Sequence, residues 1–163
     1  MSMERLFLLD PYNDKQLNMV SIFEKENNLK GLVDNINKIR MIDKEKYLDN
    51  KKVSNEVDEV LFTEKDSKIT DYCYIHGEND RKICSITQVD IKNKSKKRKL
   101  PVLASEYALN NLGMEEVMVY VSFEDTTMQN YLTLKGFESL GDNNGNLIYI
   151  KDREEKENSQ RMI

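Results

Sequence analysis

Apolar residues recur along this chain in two rhythms. Positions 117–121 are apolar without a break, Val-Met-Val-Tyr-Val, which reads as a strand covered on both faces. Upstream, Leu100, Leu103, Ala104, Tyr107, Ala108 and Leu112 fall on one side of a helix over 100–112 that stops at Gly113. That spacing predicts that Leu103 and Leu112 face the core. Downstream, a shorter helix over about 126–134 closes at Gly136-Phe137. Helix, buried strand and helix in succession argue for an α/β layer architecture.

The remaining pattern fits around that unit. Residues 5–9 form a first strand, ended by Asp10-Pro11. Asn13, with Gln16 three residues on, caps a helix carrying Met19, Val20 and Phe23, which should fray near Asn27-Asn28. A second helix aligns Leu29, Leu32, Val33, Ile36 and Ile39 on one face. Residues 42–55 are polar and charged, with Tyr47 and Leu48 as anchors, and read as a connector with a helical turn. Three strands over 57–63, 69–76 and 82–91 follow, separated by the hairpin-like stretches 64–68 and 77–80, so an antiparallel meander is expected. A turn at 143–145 leads to a last strand over 147–150. Thus 1–150 reads as one domain and 151–163, with eight charged residues in thirteen, as a mobile tail.

Charge changes the picture at one place. The chain of 163 residues holds 25 basic and 29 acidic residues, a balance of −4 that implies no general attraction to nucleic acid or membrane. Six of the basic residues lie within 92–99, and without them the balance is −10. One positive stretch therefore sits on an acidic body, just before the helix at 100. It suits a phosphate-bearing ligand held by side chains, and equally a solvated loop. A nucleic-acid backbone is disfavoured because no aromatic interleaves the run. No apolar run spans a membrane and the start lacks a secretory pattern, so a cytoplasmic location is expected.

Cys73 and Cys84 would face each other if the second hairpin turned between Glu78 and Asn79. Two buried thiols are the expected state in a reducing compartment. No histidine or carboxylate stands at ligand spacing from either, so neither metal binding nor thiol catalysis is indicated. His76, the one histidine, reads as a solvated residue at a hairpin end.

Three stretches, in order and spacing, resemble the GNAT N-acetyltransferase superfamily. Leu112-Gly113-Met114-Glu115-Glu116-Val117 resembles its passage from helix to strand, and Val119 to Asp125 its next strand and turn, with Asp125 where the family has asparagine. Leu134-Lys135-Gly136-Phe137 resembles the close of its last helix. The resemblance implies a mixed, mostly antiparallel central sheet flanked by helices, with one parallel pair, 82–91 beside 117–121, splayed into a cleft. It implies acetyl-CoA as cofactor and a small-molecule or peptide amine as acceptor. The family's glycine-bearing pyrophosphate loop falls on 93–98 or 94–99, which hold no glycine. The resemblance therefore implies phosphate binding by Lys96, Lys97, Arg98 and Lys99, and places Asp125 among the cofactor-binding residues. The family's acidic tyrosine falls on Leu132, with Tyr131 adjacent. Candidate bases are Asp90 and Glu124, each also readable as a surface carboxylate. A non-catalytic GNAT-like module that has lost its cofactor site is the alternative.

Overall fold

The computed structural model describes residues 4–88 and 99–153. In chain order the elements are β1 (Arg5–Leu8), α1 (Asp14–Glu26), α2 (Leu32–Arg40), α3 (Lys44–Val53), β2 (Glu56–Lys65), β3 (Lys68–Glu78), β4 (Ile83–Gln88), α4 (Leu100–Asn110), β5 (Glu116–Ser122), α5 (Thr126–Leu134), β6 (Glu138–Asn143) and β7 (Asn146–Asp152). The strands form one sheet in the order β1-β2-β3-β4-β5-β7-β6. All neighbours are antiparallel except β4 and β5, which run parallel. This is the mixed sheet with one parallel pair that the sequence implied.

The two-residue period of a strand sorts the core into two layers. Phe62 and Tyr72 point to one face, where Met19, Val20 and Phe23 of α1 and Leu32 and Ile36 of α2 cover them. Leu61, Cys73 and Ile75 point to the other, beneath α4. Val117, Val119 and Val121 join that second layer along with Met128 and Leu132 of α5. On α4 the residues turned fully inward are Leu100, Pro101, Val102, Ala104, Ser105, Ala108 and Leu109. Leu103 and Leu112 are only half-buried, so the expected face is rotated: the two alanines, both 0% exposed, set it by letting the helix lie close on the sheet.

Local chemistry fixes the ends. Asn13 caps α1 by accepting from the Gln16 N–H at 3.0 Å, and the Gln16 side chain reaches back to the Asp10 N–H at 2.7 Å. Glu24 is buried and takes the first N–H groups of α2, from Leu32 at 3.2 Å and Val33 at 2.9 Å. The loop Asp66-Ser67 has φ of 55° and 64°, the signature of a type I′ hairpin.

Three sequence expectations are corrected. The stretch read as a connector holds the ten-residue helix α3, which starts from an Asp43 cap, buries no residue and leaves Leu48 exposed. An additional edge strand, β6, forms the first arm of the last hairpin. In the β3–β4 ladder Gly77 stands opposite Cys84 and Cys73 opposite Gln88, so the cysteines are not partners. Strand β3 runs on through Glu78, where the Asn55 carbonyl accepts the Asn79 N–H at 2.7 Å, and the turn is centred two residues later than expected.

Candidate active site

Among the described residues, strands β4 and β5 pair from Ile83↔Glu116 to Ile86↔Val119 and no further. Yet β4 stays paired to β3 as far as Gln88↔Cys73, and β5 to β7 as far as Ser122↔Asn146. Past Ile86 and Val119 the two strands therefore part, each still held by its other neighbour. A notch opens at their carboxyl ends, between Thr87-Gln88 and residues 120–122. In open sheets with crossovers, ligands bind where connections leave the strand ends in different directions.

Both helices on the second layer follow from these strand ends. On α5, Asp125 is the cap: its carboxylate accepts the Met128 N–H at 3.1 Å. Gln129 closes the same turn by donating to the carbonyls of Ser122 and Phe123 at 3.1 and 3.0 Å. Glu124 is exposed beside that cap, its N–H bonded to the Ser122 hydroxyl at 3.3 Å. Tyr131 lies six residues along, about 9 Å up the helix axis, half-buried with the Lys135 ammonium 5.7 Å from its ring centre. Leu132 is fully buried.

At the start of α4, Lys99 is exposed and is the capping residue, with no side-chain hydrogen bond to the helix amides. Pro101 has no N–H, and the amides of Val102 and Leu103 both donate to the Lys99 carbonyl at 3.1 Å. Few main-chain donors remain there for a phosphate. Asp90, Lys96, Lys97 and Arg98 lie outside the described residues.

No protein-family model and no curated protein matches the sequence. Solved structures do match the fold. The spermidine/spermine N-acetyltransferase SpeG from Vibrio cholerae, in mutant forms, superposes with a TM-score of 0.61 over 96% of this chain and 98% of its own, at 14% identity. PaiA N-acetyltransferase from Thermoplasma acidophilum, in complex with coenzyme A, gives 0.57 over 92% and 99%, at 13% identity. The Campylobacter jejuni N-acetyltransferase PseH, with acetyl coenzyme A, gives 0.56 over 93% and 99%, at 12% identity. The fold is the GNAT fold. Within it, the notch between β4 and β5 is the splayed parallel pair that the resemblance implied, and α4 is the crossover that joins them.

A second group of polar side chains, not expected as a group, stands on the α1–α2 face of the GNAT sheet. Asp58, His76 and Ser85 occupy one row across β2, β3 and β4. The His76 Nδ1 lies 3.6 Å from the Asp58 carboxylate, both side chains 64% exposed. His76 is thus on a strand, two residues before its end, beside a carboxylate. Next to this row, a cavity of about 100 Å³ lies between α2, α3 and the half of β2 that β1 does not reach. It went unseen because it depends on α3, which carries no apolar stripe. Among the described residues no helix is long and apolar enough to cross a membrane.

Proposed function

We propose that this chain is a GNAT-type N-acetyltransferase that moves an acetyl group from acetyl-CoA to the amine of a small molecule or peptide. The observation that carries the reading is the notch: β4 and β5 separate past Ile86 and Val119 while remaining locked to β3 and β7. PaiA and PseH, whose structures hold coenzyme A and acetyl coenzyme A, share the fold over nearly their whole length, and SpeG, named for spermidine and spermine, points to small amines as the acceptor class.

Acetyl-CoA would supply a thioester-activated acetyl group. The basic residues Lys96, Lys97, Arg98 and Lys99 would hold its phosphates through charge-assisted hydrogen bonds, in keeping with the few donors left at the start of α4. Glu124 or Asp90 would take the proton from the attacking amine, and Tyr131 would give one to the departing thiolate. Asp125, already bonded to the Met128 N–H, would act by fixing the turn that carries Glu124.

Calorimetric titration with acetyl-CoA at low salt tests the reading. Saturable binding is expected, and replacing Lys96, Lys97 and Arg98 together by alanine should weaken it at least tenfold, about 1.4 kcal/mol. Added salt should weaken the unaltered chain likewise. Absence of binding at millimolar acetyl-CoA would overturn the enzyme reading. One observation favours the second reading, a GNAT-like binding module without catalysis: Leu132, where the family has its tyrosine, is fully buried and apolar.

A further inference from the structure

The cavity beside β2 already shows how this protein holds a primary ammonium. The Lys51 Nζ sits 2.6 Å from a Glu59 carboxylate oxygen and 5.8 Å from the centre of the Tyr47 ring. The Glu59 side chain is only 10% exposed. One carboxylate and one tyrosine face thus seat a cation, the lysine of α3, in the cavity wall.

A second such pair lines the cavity on the α1–α2 face of the sheet, the face opposite to the one toward which Glu59 points by the strand's alternation. Asp58 and Tyr74 both line the cavity. Tyr74 stands opposite Val60, and Asp58 opposite His76. Asp58 and Tyr74 are therefore diagonal neighbours on one face of β2 and β3, within reach of each other for an aromatic side chain. The Tyr74 hydroxyl titrates above its ordinary value, chiefly through burial, and the charges of Glu24 and Asp58 add to the shift. Among the described residues the cations over tyrosine rings are Lys44 over Tyr12, Lys51 over Tyr47 and Lys135 over Tyr131. Asp58 has His76 at 3.6 Å, and its charge is also felt by the Lys51 ammonium.

We propose that this cavity binds an alkylammonium ion, its charge seated between Asp58 and Tyr74 as Lys51 is seated between Glu59 and Tyr47. Charge and size define the ligand. Lys51 and Glu59 neutralise each other, so Asp58 leaves the cavity net negative and selects a cation. Leu32, Ile36, Ile39 and Val60 supply an apolar wall for a hydrocarbon chain. A volume of about 100 Å³ is two-thirds of the roughly 150 Å³ that takes benzene, room for about four non-hydrogen atoms.

Position connects the cavity to the notch. Tyr74 faces Thr87 on β4, the first residue beyond the last β4–β5 pair. With strands roughly 4.8 Å apart, the seat and the notch lie on the order of 5–10 Å from each other. An alkyl diamine can place one ammonium in the seat and extend its second amine toward the notch. That last step, which names diamines as the acceptor class, rests on the acetyl-transfer reading; the ammonium seat does not.

NMR titration of the full chain without acetyl-CoA tests the seat, with butylamine and 1-butanol as probes. Butylamine should shift resonances of residues around Tyr74 saturably at millimolar concentration, and 1-butanol should bind at least tenfold more weakly. Asp58→Asn should weaken butylamine at least tenfold and leave 1-butanol unchanged. Equal binding of the two probes, or butylamine binding indifferent to Asp58→Asn, would overturn the proposal. A chain that binds acetyl-CoA but not butylamine refutes the seat and leaves acetyl transfer standing. One that binds butylamine as described but not acetyl-CoA refutes acetyl transfer and keeps the seat. If both bind, Asp58→Asn should raise the KM for 1,4-diaminobutane at least tenfold, and an unchanged KM would overturn the diamine assignment.

Discussion

Gly77 is the position where a single atom matters most. A Cβ built there would lie 2.4 Å from the Ile83 carbonyl oxygen and 2.6 Å from the Cys84 Cβ, so β3 and β4 can only meet if this residue has no side chain. Gly77→Ala should lower stability by roughly 1–3 kcal/mol, as overpacking does, measured by urea unfolding; a loss under half a kcal/mol would mean that β4 shifts freely. Cys84, opposite it, is 1% exposed, and burial pushes its thiol from 9.0 up to about 12. The folded state favours the protonated thiol, so its contribution to stability is full below pH 9 and is lost as pH rises toward 12. Stability should fall over that window, and Cys84→Ala should flatten the fall. The sequence placed both thiols in apolar strands. It could not place them in register, because the turn is centred two residues later, beside a contact to Asn55, a partner more than twenty residues away.

Among the elements, those with an apolar stripe were legible. Helix α5 was read at its observed position, but Asp125, taken from the resemblance as a cofactor residue, is its cap, since an acidic residue just before a helix can take its free amides. Asp125→Ala should cost about 0.5–2 kcal/mol by the same unfolding assay, and Asp125→Asn, which can still cap, should cost less. Helix α3 has no stripe to read and lies at the surface through Tyr47 and the Lys51–Glu59 pair. Strand β6 was missed because Glu138-Ser139-Leu140-Gly141 alternates weakly and Leu140 is exposed. On α4 the stripe was seen and its centre misjudged: leucines were taken as the inward mark where small residues under a close sheet are. Leu100→Ala should therefore cost about 2–5 kcal/mol, and Leu103→Ala, at a half-buried position, clearly less. Equal losses would show that the helix is rotated from the position described.

For the molecule as a whole, topology was more readable than detail. One strand buried on both faces between two helices sufficed to argue an α/β layer architecture; the parallel neighbour came from the GNAT resemblance, and α4 is the crossover that such a pair needs. What could not be read was the set of side chains around the cavity, because Asp58, Tyr74 and Lys51 come from three elements whose register only the folded sheet sets. The short ladder between β4 and β5 has a further consequence, for motion. Among the described residues four pairs join these strands, against ten between β2 and β3, so the sheet carries a seam of weak cooperativity down its middle. Native-state amide exchange should show β5, β7 and β6 opening together at a lower free energy than β2 and β3. A molecule lodged in the notch would stitch the seam, and slower exchange on both sides of it would report that event far from the point of contact.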